Sequence, residues 1–242
     1  MSLKTVQVII NGVSTTLNLN SQTGKYEATV TAPHTSSFNQ PNGYYNVTVK
    51  ATDNANNITT VDADDPTLGT KLRLVVKERT APVITPTYPS ASATLINNKP
   101  TITWKVTDAD SGVNPDSISI IIDSGSKITS GITKNKVSGG YECSYTPGTA
   151  LNDGSHTIKF DASDNDGNAA VRKSVSFKVD TVPPTLNIAS PAAGLITNNP
   201  KVTLSGTTND ATSSPVTVTV KLNSGSAANV TVESNVFCPF SQ

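Results

Sequence analysis

The sequence predicts an all-β fold of tandem sandwiches with no significant helix, and three observations predict it. Every periodic run alternates with period two. The composition is rich in Val, Ile and Thr while only 15% of residues are charged. Blocks of sequence return about 100 residues downstream.

The alternation is clearest in three places. Ile102, Trp104 and Val106 alternate with Thr101, Thr103, Lys105 and Thr107. Val47 and Val49 alternate with Asn46, Thr48 and Lys50, and Val175, Phe177 and Val179 with Ser174, Ser176 and Lys178. Such runs are strands with one buried and one solvated face, as in antiparallel sheets. The turn signals Asn11-Gly12, Asn42-Gly43, Gly139-Gly140, Asp153-Gly154 and Asp166-Gly167 punctuate them.

Composition narrows the function classes. Disordered chains are poor in β-branched residues and carry excess charge; this chain of 242 residues is β-rich and formally neutral, so it reads as folded. With 18 basic against 18 acidic residues it has no electrostatic footprint for nucleic acid or an anionic membrane. No apolar run approaches the ~20 residues of a membrane span. Met1 leads directly into a strand-like run (Val6, Val8, Ile10), so no secretory signal peptide is expected in this chain.

The repeat sets the domain layout. Leu95-Ile96-Asn97-Asn98-Lys99-Pro100 returns as Leu195-Ile196-Thr197-Asn198-Asn199-Pro200, and Ser117-Ile118-Ser119-Ile120 returns as Thr217-Val218-Thr219-Val220. The hinges Thr80-Ala81-Pro82 and Val182-Pro183-Pro184 follow the same spacing. A repeat of about 100 residues is the size of a sandwich of about seven strands. The layout expected is residues 1–79 as a module lacking its first strands, 80–181 as a complete module, and 182–242 as a module lacking its last strands. Two readings of the incomplete ends stand open: a fragment or interrupted gene, and copies that complete each other head to tail by strand addition.

The hinge Ala81-Pro82-Val83-Ile84, the element Asp108-Ala109-Asp110-Ser111-Gly112-Val113 and the closing Asp161-Ala162-Ser163-Asp164-Asn165-Asp166-Gly167-Asn168 resemble tandem bacterial immunoglobulin-like (Ig-like) repeats. There an A-x-D-x-x-G-N turn, a strand and D-T-x-P-P close each module. The resemblance extends to prophage tail-associated and bacterial surface proteins, and implies Greek-key sandwiches that extend, present and adhere without catalysis. The first repeat departs from the pattern, with Lys77-Glu78-Arg79-Thr80 in place of Lys178-Val179-Asp180-Thr181 and Asn56 in place of Gly167. By this reading the joint after the second repeat is the better candidate for chemistry.

Asp161, Asp164, Asp166 and Asp180 are the candidate metal ligands, hard oxygens of the kind Ca²⁺ takes six to eight of. The resemblance implies inter-module Ca²⁺ that stiffens the joint. A hairpin in which Asp and Asn cap backbone N–H groups, with Gly167 at positive φ, is the alternative. Asp108, Asp110 and Asp116 form a second acidic loop, with Asp110 placed to accept backbone hydrogen bonds in a tight turn; a metal or ligand loop is the alternative. Cys143 and Cys238 occupy equivalent positions in successive repeats, too far apart for a disulfide, and read as small buried thiols. Trp104 reads as core or as a sugar-stacking ring. Tyr44, Tyr45, Tyr88 and Tyr141 make no obvious platform, and neither His34 nor His156 sits in a metal or triad spacing.

The function expected is therefore a non-catalytic spacer and adhesive region on a phage tail or bacterial surface, its partner a surface glycan or protein. The alternative is an accessory region of a secreted carbohydrate-active enzyme whose catalytic domain lies elsewhere.

Overall fold

The computed structural model describes residues 3–199, 202–210, 216–221, 228–230, 232–233 and 236–237. The strands follow in chain order. They begin with β1 (Leu3–Ile10), β2 (Val13–Asn20), β3 (Lys25–Glu27), β4 (Tyr45–Asp53), β5 (Ile58–Val61) and β6 (Arg73–Leu74). Next come β7 (Val83–Tyr88), β8 (Thr94–Leu95), β9 (Ile102–Thr107), β10 (Ser119–Ile122) and β11 (Thr133–Val137). Then follow β12 (Gly140–Tyr145), β13 (Gly154–Asp161) and β14 (Lys173–Val179). The rest are β15 (Thr185–Ser190), β16 (Ser205–Asn209), β17 (Val218–Val220), β18 (Ala228–Val230), β19 (Val232–Glu233) and β20 (Val236–Phe237). Helical structure among the described residues is confined to single 3₁₀ turns of three or four residues, so the chain is all-β.

Two compact units are distinguished. One comprises Met1–Tyr88, Ile102–Tyr145 and Ile158–Ser174, the other Pro89–Thr101, Thr146–Thr157 and Val175–Gln242.

β7, β9, β12 and β11 form one sheet in that order, and β8, β14, β13 and β10 another. These are the ABED and CFG sheets of an Ig-like sandwich, with the first strand split so that its second half, β8, joins the other sheet. The predicted alternation becomes the core. Ile102, Trp104 and Val106 are each at most 1% exposed, and the Trp104 ring meets Phe160 of the other sheet at 5.3 Å between centroids, tilted by 55°. Each such side chain contributes about 1.5–3 kcal/mol on burial. Trp104 is therefore a core residue, closed to sugar stacking. In the second unit His156 is buried against Phe177, with centroids 5.6 Å apart, and its Nε2 lies 2.7 Å from the Asn152 carbonyl.

Residues 3–74 make a single six-stranded sheet in the order β3-β2-β1-β4-β5, with β6 also pairing with β4. Val8 pairs with Val49 as Ile120 pairs with Phe160, so β1 and β4 keep the register of β10 and β13. The next strands do not follow the sandwich. β2 folds straight back on β1, because Asn11 (φ 47°) and Gly12 (φ 78°) form a two-residue turn with both residues left-handed. In the sandwich β12 is held by β9; here β3 has β2 as its partner. The hairpin keeps β2 and β3 in the sheet of β1.

β15, β16, β20 and β19 form a sheet in the second unit, and β17 pairs with β18. Cys238 lies outside the described residues.

Candidate functional site

The acidic turn is built by its own side chains. Asp164, 1% exposed, accepts the backbone N–H of Asn168 at 2.7 Å and its side-chain amide at 2.6 Å. Gly167 takes φ 97° between them. The hydrogen bonds of the hairpin reading are thus present. The first repeat makes the same turn: Asp53 accepts from Asn57 N–H (2.8 Å) and Asn57 Nδ2 (2.9 Å), and Asn56 supplies the left-handed residue at φ 68°. Asn tolerates that conformation better than other non-glycine residues, so replacing the glycine costs the turn nothing in form.

Within the first unit, two loops close on residues 36–39 and 77–78. Asp110 accepts the Ser36 N–H with both carboxylate oxygens at 3.0 Å, and its carbonyl accepts from Asn39 Nδ2 at 2.6 Å. Asp166 accepts the Glu78 N–H at 2.9 Å. Glu78 Oε1 accepts the Ser111 N–H at 2.6 Å, and Asn168 Nδ2 donates to the Glu78 carbonyl at 3.2 Å. Asp108 braces its own loop, its Oδ1 accepting from the N–H groups of Asp110 and Gly112 at 3.1 and 2.7 Å.

These bonds bring three carboxylates together. One oxygen each of Glu78, Asp108 and Asp164 lies within 4.8 Å of the others. Asp108 and Asp164 are buried and Glu78 half-buried. Glu78 Oε2 and Asp108 Oδ2 accept no hydrogen bond from the described residues. Beside them the Ser111 hydroxyl is buried without a partner among the described residues.

The residues singled out from sequence have separate places. Asp164 alone of the four candidate ligands belongs to the converging group. Asp161 is held by Arg172 in a two-pronged pair of 2.7 and 2.9 Å. Asp166 caps Glu78, and Asp180 accepts the Val182 N–H at 3.3 Å. Asp116 sits in a 3₁₀ turn capped by Asn114. Cys143 is buried, and burial pushes its thiol up to about 11. Glu78 was missed. The available signal was that it carries a carboxylate where the second repeat has Val179, a gain of charge that reads at first as a loss of pattern.

Residues 87–181 match the family of bacterial Ig-like domains, and residues 184–237 match domain B of glucodextranase. The chain carries Ig-like domains in tandem over residues 87–237. Solved structures similar to the tandem Ig-like protein include CopC from Methylosinus trichosporium OB3b, at 24% identity over 40% of this chain and 94% of that one, TM-score 0.31. The fibronectin(III)-like modules of Clostridium thermocellum CbhA match at 18% identity over 73% and 78%, TM-score 0.31. Dimeric latent PorU from Porphyromonas gingivalis matches at 17% identity over 69% of this chain and 17% of its own length, TM-score 0.37. No curated protein matches the tandem Ig-like protein. None of its described helices is long and apolar enough to cross a membrane.

Proposed function

We propose that this tandem Ig-like protein is a non-catalytic structural and adhesive region working outside the cell, on a phage tail or bacterial surface. The observation that carries this reading is the braced joint between residues 36–39 and 77–78 on one side and the 108–111 and 164–168 loops on the other. The carboxylates that cross it, Asp110, Asp166 and Glu78, are half-buried, hydrogen bonds to charged groups of this kind contribute about 1.5–3 kcal/mol each, and a joint fixed this way suits a part that holds surfaces at a set spacing.

Ca²⁺ belongs to the same proposal. Three carboxylates within 4.8 Å of one another repel when ionised. A divalent cation bound by Glu78, Asp108 and Asp164 turns that repulsion into attraction, and waters complete its shell. Asp161 and Asp166 are engaged by Arg172 and the Glu78 N–H, and Asp180 accepts the Val182 N–H in the second unit. Calorimetric titration with Ca²⁺, with melting in Ca²⁺ and in chelator, tests this. Ca²⁺ raises the melting temperature of the wild type, Glu78→Gln and Asp108→Asn weaken the rise, and Asp180→Ala keeps it. A rise undiminished in Glu78→Gln sinks the assignment.

The match of residues 184–237 to glucodextranase domain B favours a second reading, an accessory region of a secreted carbohydrate-active enzyme. Immunogold labelling separates the two. Label on virions or on the cell surface supports the first reading. Recovery of the chain with glycanase activity from culture medium supports the second.

A further inference from the structure

We infer that a cavity on the polar face of the first sheet is a binding subsite for a neutral saccharide. The inference deepens the adhesive part of the proposed function and rests on it. The cavity, of about 390 Å³, is within the range of small-ligand sites. It lies where the Asn11-Gly12 turn, the 40–44 turn, the start of β4 and the 63–64 loop meet.

The lining has the chemistry of a polyol site. Asn11, Gln40 and Asn42 have side-chain amides with no hydrogen-bond partner among the described residues, and each offers two donors and an acceptor. Asn46 has its Oδ1 occupied by the Ala63 N–H at 2.9 Å, which fixes the amide and leaves its NH₂ to donate. Asp64 adds two acceptor oxygens. Groups that both donate and accept, side by side, match the neighbouring hydroxyls of a sugar ring.

Tyr44 supplies the apolar wall. The Arg73 guanidinium carbon sits 5.1 Å from the centre of its ring, a cation–π contact that fixes the ring. Arg73 also reaches the Ala63 carbonyl at 3.4 Å. The wall and the 63–64 loop are thus held by one side chain.

Charge selects within the saccharides. Asp64 is the one charged residue of the lining, and it is negative. No cation is among the lining residues to pair with a uronate, and Arg73 behind the wall is engaged by the Tyr44 ring and the Ala63 carbonyl, so a neutral saccharide is favoured over an anionic one.

The turn geometry gives a clean test. Asn11 and Asn42 sit at φ 47° and 66°, where glycine is at home. Asn11→Gly with Asn42→Gly therefore removes two amides while suiting the backbone, and the melting temperature reports whether the fold is intact. The ¹⁵N-labelled whole chain is titrated with cellotriose, isomaltotriose and triacetylchitotriose, and separately with trigalacturonate. At least one neutral trisaccharide shifts the backbone signals of Asn11, Asn42 and Asp64 at about 10 mM or below. The double variant weakens that binding roughly tenfold or more, and trigalacturonate leaves the signals in place. If no neutral trisaccharide shifts them, or if trigalacturonate binds as well, the assignment is overturned. If a trisaccharide binds but the double variant binds it equally, this cavity is excluded while the adhesive reading stands on another surface.

Discussion

Asp164 holds Asn168 by its backbone and its side chain at once, at 2.7 and 2.6 Å, and Asp53 holds Asn57 in the same way. The two pairs differ in setting, since Asp164 is buried and Asp53 half-buried. Asp164→Ala leaves the N–H and side-chain amide of half-buried Asn168 without their acceptor and costs about 2–3 kcal/mol, read from the urea midpoint. Asp53→Ala lets water in and costs less.

The Asp53 pair adds a pH signature. The Asn57 side-chain amide, then its backbone N–H, hold the Asp53 carboxyl below its ordinary 3.8. A carboxyl lowered by folding stabilises the fold above its unfolded value, and that gain is lost as pH falls through the folded value. Stability measured from pH 6 down to pH 2 therefore falls less steeply in Asp53→Asn than in the wild type.

Trp104 is packed on Phe160, and its indole N–H is buried with no partner among the described residues. Trp104→Ala costs about 3–5 kcal/mol through the cavity it leaves. Trp104→Phe forfeits ring volume but no hydrogen bond, and costs about 1–2 kcal/mol. Circular dichroism in urea gives both values.

Gly140 faces the backbone of β9, where an added β-carbon would overlap the Val106 carbonyl and lie 2.9 Å from Thr107 Cα. Gly140→Ala forces β12 from β9 and costs about 2–4 kcal/mol. Gly148 has nothing within 4 Å, and Gly148→Ala stays within about 0.5 kcal/mol. Melting temperatures of the two variants show the contrast.

Burial raises the Cys143 thiol to about 11, against a small opposing pull from Lys134. At pH 8 iodoacetamide labels it slowly in the native chain and quickly in urea, as site-resolved mass spectrometry shows. The thiol's contribution is whole below pH 9.0 and declines as pH rises from there, because the unfolded thiol ionises first. Cys143→Ser removes that decline.

The sandwich was legible because alternation is local: Ile102, Trp104 and Val106 declare their face without reference to any partner. The acidic turn was legible for the same reason, its bonds running between Asp164 and Asn168 four residues apart. The meeting of Glu78 with Asp108 and Asp164 was not. It depends on where two loops come to rest, and nothing in the spacing of Glu78 announces it. The single sheet of residues 3–74 lay between these cases. Asn11-Gly12 marked a tight hairpin, but whether β2 stays beside β1 depends on which strand pairs with β3.

That sheet ends on β3, a rim of three residues with exposed Lys25 and Glu27. An open rim offers unpaired backbone groups to any passing strand. Glu27 is already engaged by Asn20 and Thr23, at 3.0 and 2.9 Å, so its charge is pinned at the border. That rim is thus guarded by very few atoms, and neutralising Lys25 and Glu27 together would open it to edge-to-edge stacking.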